Sequence, residues 1–187
     1  SILQGRWVLQ GGGRLFVNFE PETLRAPEAC LADLEALCRE ADLDMSRLVF
    51  EVVETENIRD LGALREVLDG YRRRGARVAL DDLGSGYSSF RYLVELKPDY
   101  VKLDRHLVHG ALNDRTRSVL LRALTGAARD LGIGVIAEGV ESDEDLRFCL
   151  EAGVDYAQGY FLARPAERPP CLSPPAASLL NGVPLPA

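Results

Sequence analysis

Short apolar runs alternate with amphipathic stretches along most of the chain, and nearly every run ends in a polar or charged residue. That rhythm marks a parallel α/β fold, in which buried strands feed surface helices. Strands are expected at Leu15–Phe19, Leu48–Val53, Val78–Leu83, Tyr100–Leu103, Val135–Ala137 and around Tyr156–Gln158. Helices are expected over about Glu28–Ala41, Leu61–Arg74, Ser89–Leu96, Arg115–Leu131 and Asp143–Ala152. Gly75 and Gly132 stand where two of these helices stop, and Ser142 is placed to N-cap the last. After Pro165 the chain turns rich in Pro and Ala and reads as a tail of low order. The expected division is therefore a domain at 1–166 and a tail at 167–187.

Strand starts about 20–37 residues apart suit an eight-unit barrel, which spends roughly 31 residues per unit. Six units are two short of closure. A doubly wound sheet is the other arrangement of such units. No G-x-G-x-x-G turn follows the first strand, so a dinucleotide-binding sheet loses its support. The 187 residues suffice for one sizeable core.

Other classes fall away on composition. No apolar run nears the roughly 18–20 residues that span a bilayer, so no membrane contact is expected. Cys30, Cys38, Cys149 and Cys171 form no C-x-x-C pair, and the histidines are His106 and His109 alone. This argues against a Cys/His zinc site and suits a reducing, cytoplasmic setting. A net charge of −7 argues against gripping a nucleic-acid polymer.

The ends of the runs are the informative part. They supply Asn18, then Glu51 within a strand and Glu54 at its end, then the adjacent pair Asp81 and Asp82. Lys102, Glu138 and Gln158 follow from the last three runs. A lone strand-end acid is more often a helix cap or a solvated end. In a parallel barrel, however, all the carboxyl ends open on one face. Charges repeated there, each costly to bury unless paired or metal-bound, need a common reason. A cation site supplies one. The donors are oxygens apart from one lysine, which favours Mg²⁺, Mn²⁺ or Ca²⁺ over zinc. Asp81 and Asp82 could bridge two metals about 3.5–4 Å apart, as in-line phosphoryl displacement requires.

The segments Glu51-Val-Val-Glu54, Asp81-Asp-Leu-Gly-Ser-Gly-Tyr-Ser-Ser89, Val101-Lys-Leu-Asp104, Ala137-Glu-Gly-Val-Glu141 and Gln158-Gly-Tyr160, taken in order, resemble the EAL-domain family of cyclic-di-GMP phosphodiesterases. The resemblance runs from about Arg6 to Pro165. It implies a TIM-type (βα)₈ barrel, here about six of eight units, that hydrolyses cyclic-di-GMP to linear pGpG in bacterial signalling. It implies two divalent cations, Mg²⁺ or Mn²⁺, with Ca²⁺ as an inhibitor.

By the same resemblance Asn18, Glu51 and Asp81 are ligands of one metal. Asp81, Asp82 and Glu138 surround the second metal and the attacking water. Lys102 orients that water or meets the phosphate, and Gln158 helps position it. The loop with Gly84, Ser85 and Gly86 resembles the family's mobile loop, Glu54 the acid that holds it, and Glu141 a supporting or substrate-side acid. A homodimer and an attached sensory or signalling domain are implied as partners. Bound cations would reconcile an acidic chain with an anionic substrate.

Two features depart from the family. Leu83 stands where phenylalanine is usual, and the Glu-Ala-Leu strand, whose glutamate is a metal ligand, has no equivalent before Arg6-Trp-Val-Leu9. The chain starts at Ser1 and is expected to be a piece of a longer protein. By itself it is expected to be inactive or nearly so, and an open barrel edge is expected to make it self-associate or poorly soluble. The alternatives are a non-catalytic cyclic-di-GMP receptor or interaction module, and an unrelated metal-dependent barrel enzyme acting on other esters.

Overall fold

The computed structural model describes residues 13–19, 26–53, 60–84, 89–166 and 170–181. Six strands, β1 (Leu15–Asn18), β2 (Leu48–Val53), β3 (Arg77–Leu83), β4 (Tyr100–Leu103), β5 (Gly134–Ala137) and β6 (Tyr156–Ala157), follow one another in chain order. The helices are α1 (Pro27–Ala41), α2 (Leu61–Arg72), α3 (Ser89–Leu96), α4 (Arg105–Val108), α5 (Arg115–Asp130), α6 (Asp143–Ala152) and α7 (Pro174–Leu180). The chain clusters into two compact units, the first running to Asp81 and taking in Ser88–Asp99, the second holding Asp82–Tyr87, Tyr100–Ala166 and the C-terminal residues.

In the first unit β1 pairs with β2 and β2 with β3, all parallel. Leu48, Val49, Phe50 and Val52 are buried, as expected of a parallel strand covered on both faces. Helix α2 is capped by Asp60, whose carboxylate accepts from Ala63 N–H at 3.0 Å, and it turns Leu64, Leu68 and Tyr71 inward. Each such leucine contributes about 1.5–3 kcal/mol through burial. The Tyr71 ring stacks on Phe50 at 4.5 Å and meets Phe19 edge-on at 6.4 Å. Arg72 of α2 donates to Leu96 O and Lys97 O, satisfying carbonyls at the end of α3. Asp99 then returns the chain to β3 by accepting from Val78 N–H at 2.9 Å.

In the second unit β4, β5 and β6 form a parallel ladder. Asp104, Asp114 and Ser142 cap α4, α5 and α6, Ser142 within a reciprocal capping box with Asp145. The expected disordered tail is corrected here. Helix α7 lies within it, with Ala176 fully buried. Its cap, Ser173, donates through Oγ to Phe161 O at 2.6 Å and through N–H to Leu162 O at 2.7 Å. The prolines that suggested a low-order tail occupy the first helical positions, where no amide proton is needed.

Candidate functional site

Register decides which side chains share a face. In the first unit Asn18 lies level with Glu51, and Asp81 level with Val53. Since side chains alternate along a strand, Asn18, Glu51 and Asp81 fall on one face. Phe50 and Val52 fall on the other, where Phe50 meets Tyr71 of α2. The polar face is thus the one turned away from α2. Phe19 N–H extends the pairing to Glu51 O at 2.8 Å.

The second unit repeats the arrangement. Lys102 lies level with Ile136, and Ile136 with Tyr156, so Glu138 and Gln158, each two residues further on, share the face of Lys102. The ladder reaches them through Glu138 N–H to Leu103 O at 3.1 Å and Gln158 N–H to Ala137 O at 2.8 Å. Lys102 Nζ lies 2.8 Å from Glu138 Oε1, and the lysine is buried, 6% exposed. A buried ammonium needs such a partner.

Asp82 joins this pair, since it and Glu138 offer carboxylate oxygens within 4.8 Å of each other. In a regular strand Asp82 would point away from the face that Asp81 occupies. Asp82 has instead a left-handed backbone, at φ 54°. That conformation costs a residue with a side chain about 1–2 kcal/mol. Two residues later Gly84 sits at φ 105°, and a Cβ there would lie 2.4 Å from Leu107 Cδ1, so the strand leaves the site through a position only glycine fits.

The loop after β5 is pinned from outside. Arg105 donates to Glu141 at 2.7 and 2.9 Å. The bond from Arg105 holds the Glu141 carboxyl below its ordinary value and raises Arg105 in return. Asp145, 2% exposed, accepts from Gly110, Glu141 and Ser142 N–H and meets His109 Nδ1. Burial pushes its carboxyl up, but these donors outweigh burial and hold it low.

The predicted residues thus gather as two sets, Asn18, Glu51 and Asp81 in the first unit, and Asp82, Lys102, Glu138 and Gln158 in the second. Glu141 stands beside Arg105. Glu54, Ser85 and Gly86 lie outside the described residues. Sequence reasoning missed Arg105, His109 and Asp145. Only the Ser142-x-x-Asp145 spacing, a capping-box pattern, hinted at them. A Glu-Ala-Leu tripeptide does occur at Glu35-Ala36-Leu37, but inside α1, where Glu35 accepts from Arg74. It is a helix surface, not a strand-end ligand.

The family model described as EAL domain matches residues 3–165. The chain belongs to the EAL-domain family. Cyclic di-GMP phosphodiesterase RocR of Pseudomonas aeruginosa is 36% identical over 151 residues, covering 81% of this chain and 38% of that protein. Probable cyclic di-GMP phosphodiesterase PdeN of Escherichia coli is 30% identical over 158 residues, covering 84% and 30% respectively. The chain therefore spans about a third of the length of these curated relatives.

Among solved EAL structures, Klebsiella pneumoniae BlrP1 in its manganese and cyclic-di-GMP complex superposes with a TM-score of 0.81 at 30% identity, covering 88% of this chain and 42% of that one. The cyclic-di-GMP-bound standalone EAL protein of Vibrio cholerae gives 0.83 at 29% identity, covering 92% and 73%. The fold class is α/β, an incomplete TIM-type barrel of the EAL family. No helix among the described residues is long and apolar enough to cross a membrane.

Proposed function

We propose that this chain carries the site of a metal-dependent phosphodiesterase that hydrolyses cyclic-di-GMP to linear pGpG. The observation that carries the reading is the meeting of Asp82, Glu138 and buried Lys102 at strand ends far apart in sequence. Relatives that cover most of the chain and are named for this activity support it.

The donor set fits hard divalent cations. Asn18, Glu51 and Asp81 would hold one, and Asp81, Asp82 and Glu138 the second, all through oxygen, the chemistry of Mg²⁺ and Mn²⁺. When bound, the cations supply Lewis acidity toward the phosphate and acidify a water. The remaining work falls to the chain. Lys102, fixed by Glu138, presents an ammonium to the charge that develops on phosphorus-bound oxygens. Glu138 accepts hydrogen bonds from the attacking water and takes up its proton, and Gln158 orients that water. The product keeps its terminal phosphate on a 5′ oxygen, so water's oxygen bonds to phosphorus and the bond from phosphorus to a 3′ oxygen breaks. That oxygen takes a proton from solvent water to leave as an alcohol, while Glu138 returns the proton it took to solvent.

Among the described residues no strand-end glutamate stands for the family's Glu-Ala-Leu ligand. In the same reading residues 1–187 alone are nearly inactive, and the assay uses the full-length protein. The dimer, the signalling partner domain, the cytoplasmic setting and inhibition by Ca²⁺ belong to the same proposal, as does the division into a domain at 1–166 and a C-terminal segment at 167–187. Cyclic-di-GMP incubated with the full-length protein and Mn²⁺ should yield pGpG by chromatography, and chelation should stop it. Tight binding of the dinucleotide without any pGpG would make the protein a receptor instead. Cleavage of other phosphodiesters in preference to cyclic-di-GMP would overturn both.

A further inference from the structure

We propose that Asp145 is a positioning residue for this site, a buried carboxylate that locks together the loops following the strands of Lys102 and Glu138. The inference rests on the function proposed above. Asp145 is the third residue of α6. Its Oδ2 accepts from Glu141 N–H at 3.0 Å and Ser142 N–H at 3.1 Å and lies 3.0 Å from His109 Nδ1. Its Oδ1 accepts from Gly110 N–H at 2.9 Å.

Capping explains only part of this. The reciprocal bonds between Ser142 and Asp145 complete the cap of α6. The bonds from His109 and Gly110 serve no helix end of α6. They reach into the loop after α4, and hence to the segment that leaves β4 just beyond Lys102. A surface amide or hydroxyl would cap as well without burying a charge.

Arg105 makes a second tie between the same two loops. It grips Glu141 with both ends of its fork, and its stem lies against Gly139, where a Cβ would stand 2.3 Å from Arg105 Cγ. The residues immediately after Glu138 are thus held at two points from the β4 side. What those ties preserve is the 2.8 Å separation of Lys102 Nζ and Glu138 Oε1. Misplacing a catalytic group by about 1 Å can cost on the order of a hundredfold in rate.

Asp145→Asn tests the claim, with Ser142→Ala as the control. Asparagine offers one oxygen and one amino group, so either orientation sets a donor against an N–H. Ser142→Ala removes the side-chain cap and leaves the carboxylate's hold on both loops. In the full-length protein with Mn²⁺ and cyclic-di-GMP, Asp145→Asn is expected to lower kcat about tenfold with KM changed less than about twofold. Mn²⁺ affinity, read by electron paramagnetic resonance, should weaken about fivefold.

Ser142→Ala should lower the melting temperature and leave kcat unchanged. Unchanged kcat and Mn²⁺ affinity in Asp145→Asn, or equal kcat losses in both variants, would overturn the inference. Should Asp145→Asn fail to fold, His109→Leu, which removes one tie and no backbone donor, is expected to lower kcat about threefold, and no loss overturns the inference. If the parent does not hydrolyse cyclic-di-GMP, the functional reading fails by itself. Equal Mn²⁺ affinity in parent and variant would then decide against Asp145 independently.

Discussion

Replacing Lys102 with methionine asks whether the acid cluster is an energetic liability that positive charge holds together. Lys102 Nζ lies 2.8 Å from Glu138 Oε1, with side chains 8% and 20% exposed. At an effective dielectric of about 20, unit charges at that separation attract by about 6 kcal/mol, and desolvation of both groups offsets much of it. Removing one partner of a fully buried pair costs about 3–5 kcal/mol. Glu138 keeps some contact with water, which brings the expectation for Lys102→Met down to about 2–3 kcal/mol.

The variant also leaves Glu138 facing Asp82 within 4.8 Å without the lysine's charge. Mn²⁺ should therefore bind more tightly than in the parent, and at a hundredfold excess over its Kd it returns about 2.7 kcal/mol. Urea unfolding followed by circular dichroism, with chelator and with Mn²⁺, measures both terms. The double variant Lys102→Met/Glu138→Gln should be more stable in chelator than Lys102→Met alone. A Lys102→Met protein within about 0.5 kcal/mol of the parent in chelator, or one that Mn²⁺ does not rescue, would refute the reasoning.

Asp82→Gly relieves the left-handed backbone at φ 54° and removes a clustered charge, gains that offset the roughly 0.5–1 kcal/mol entropic cost of glycine. Its melting temperature should equal or exceed the parent's while turnover falls at least about a hundredfold, and a clear drop in melting temperature would contradict the strain. Glu141 and Asp145 titrate below their ordinary values of 4.5 and 3.8, so their contribution is complete above those values and is lost as pH falls through the lower folded values. Unfolding midpoints should be level above about pH 5 and drop steeply below about pH 4, with a shallower acid limb in Asp145→Asn. Burial pushes the Cys149 thiol up to about 12, whereas Cys171 is exposed. Alkylation of the native protein followed by mass mapping should label Cys171 and spare Cys149.

Much of this architecture is written locally. Each strand is a self-contained apolar run between helix signals, so β2, β4, α3 and α6 lie where periodicity and capping place them. The polar strand ends were legible for the same reason, because burying a charge is conspicuous in any single segment. What the sequence hid depends on backbone angles or distant partners. Adjacent Asp81 and Asp82 would ordinarily face opposite ways, and nothing local in the sequence announces the left-handed backbone at Asp82 or the approach of its carboxylate to Glu138. Asp145 looks like an ordinary third helical residue until the loop at His109–Gly110 folds onto it. The prolines at 174 and 175 read as part of a low-order tail, although the first helical turn is the one place in a helix that accepts them.

The proposed chemistry needs carboxylates from separate strands to act together on divalent cations. Electron paramagnetic resonance titration of the full-length protein with Mn²⁺ addresses this directly when the parent is compared with Glu51→Gln, Asp82→Asn and Glu138→Gln. Saturable binding in the parent, weakened at least about tenfold in each variant, is the expected result. Binding absent from the parent, or equally strong in all four proteins, would contradict it.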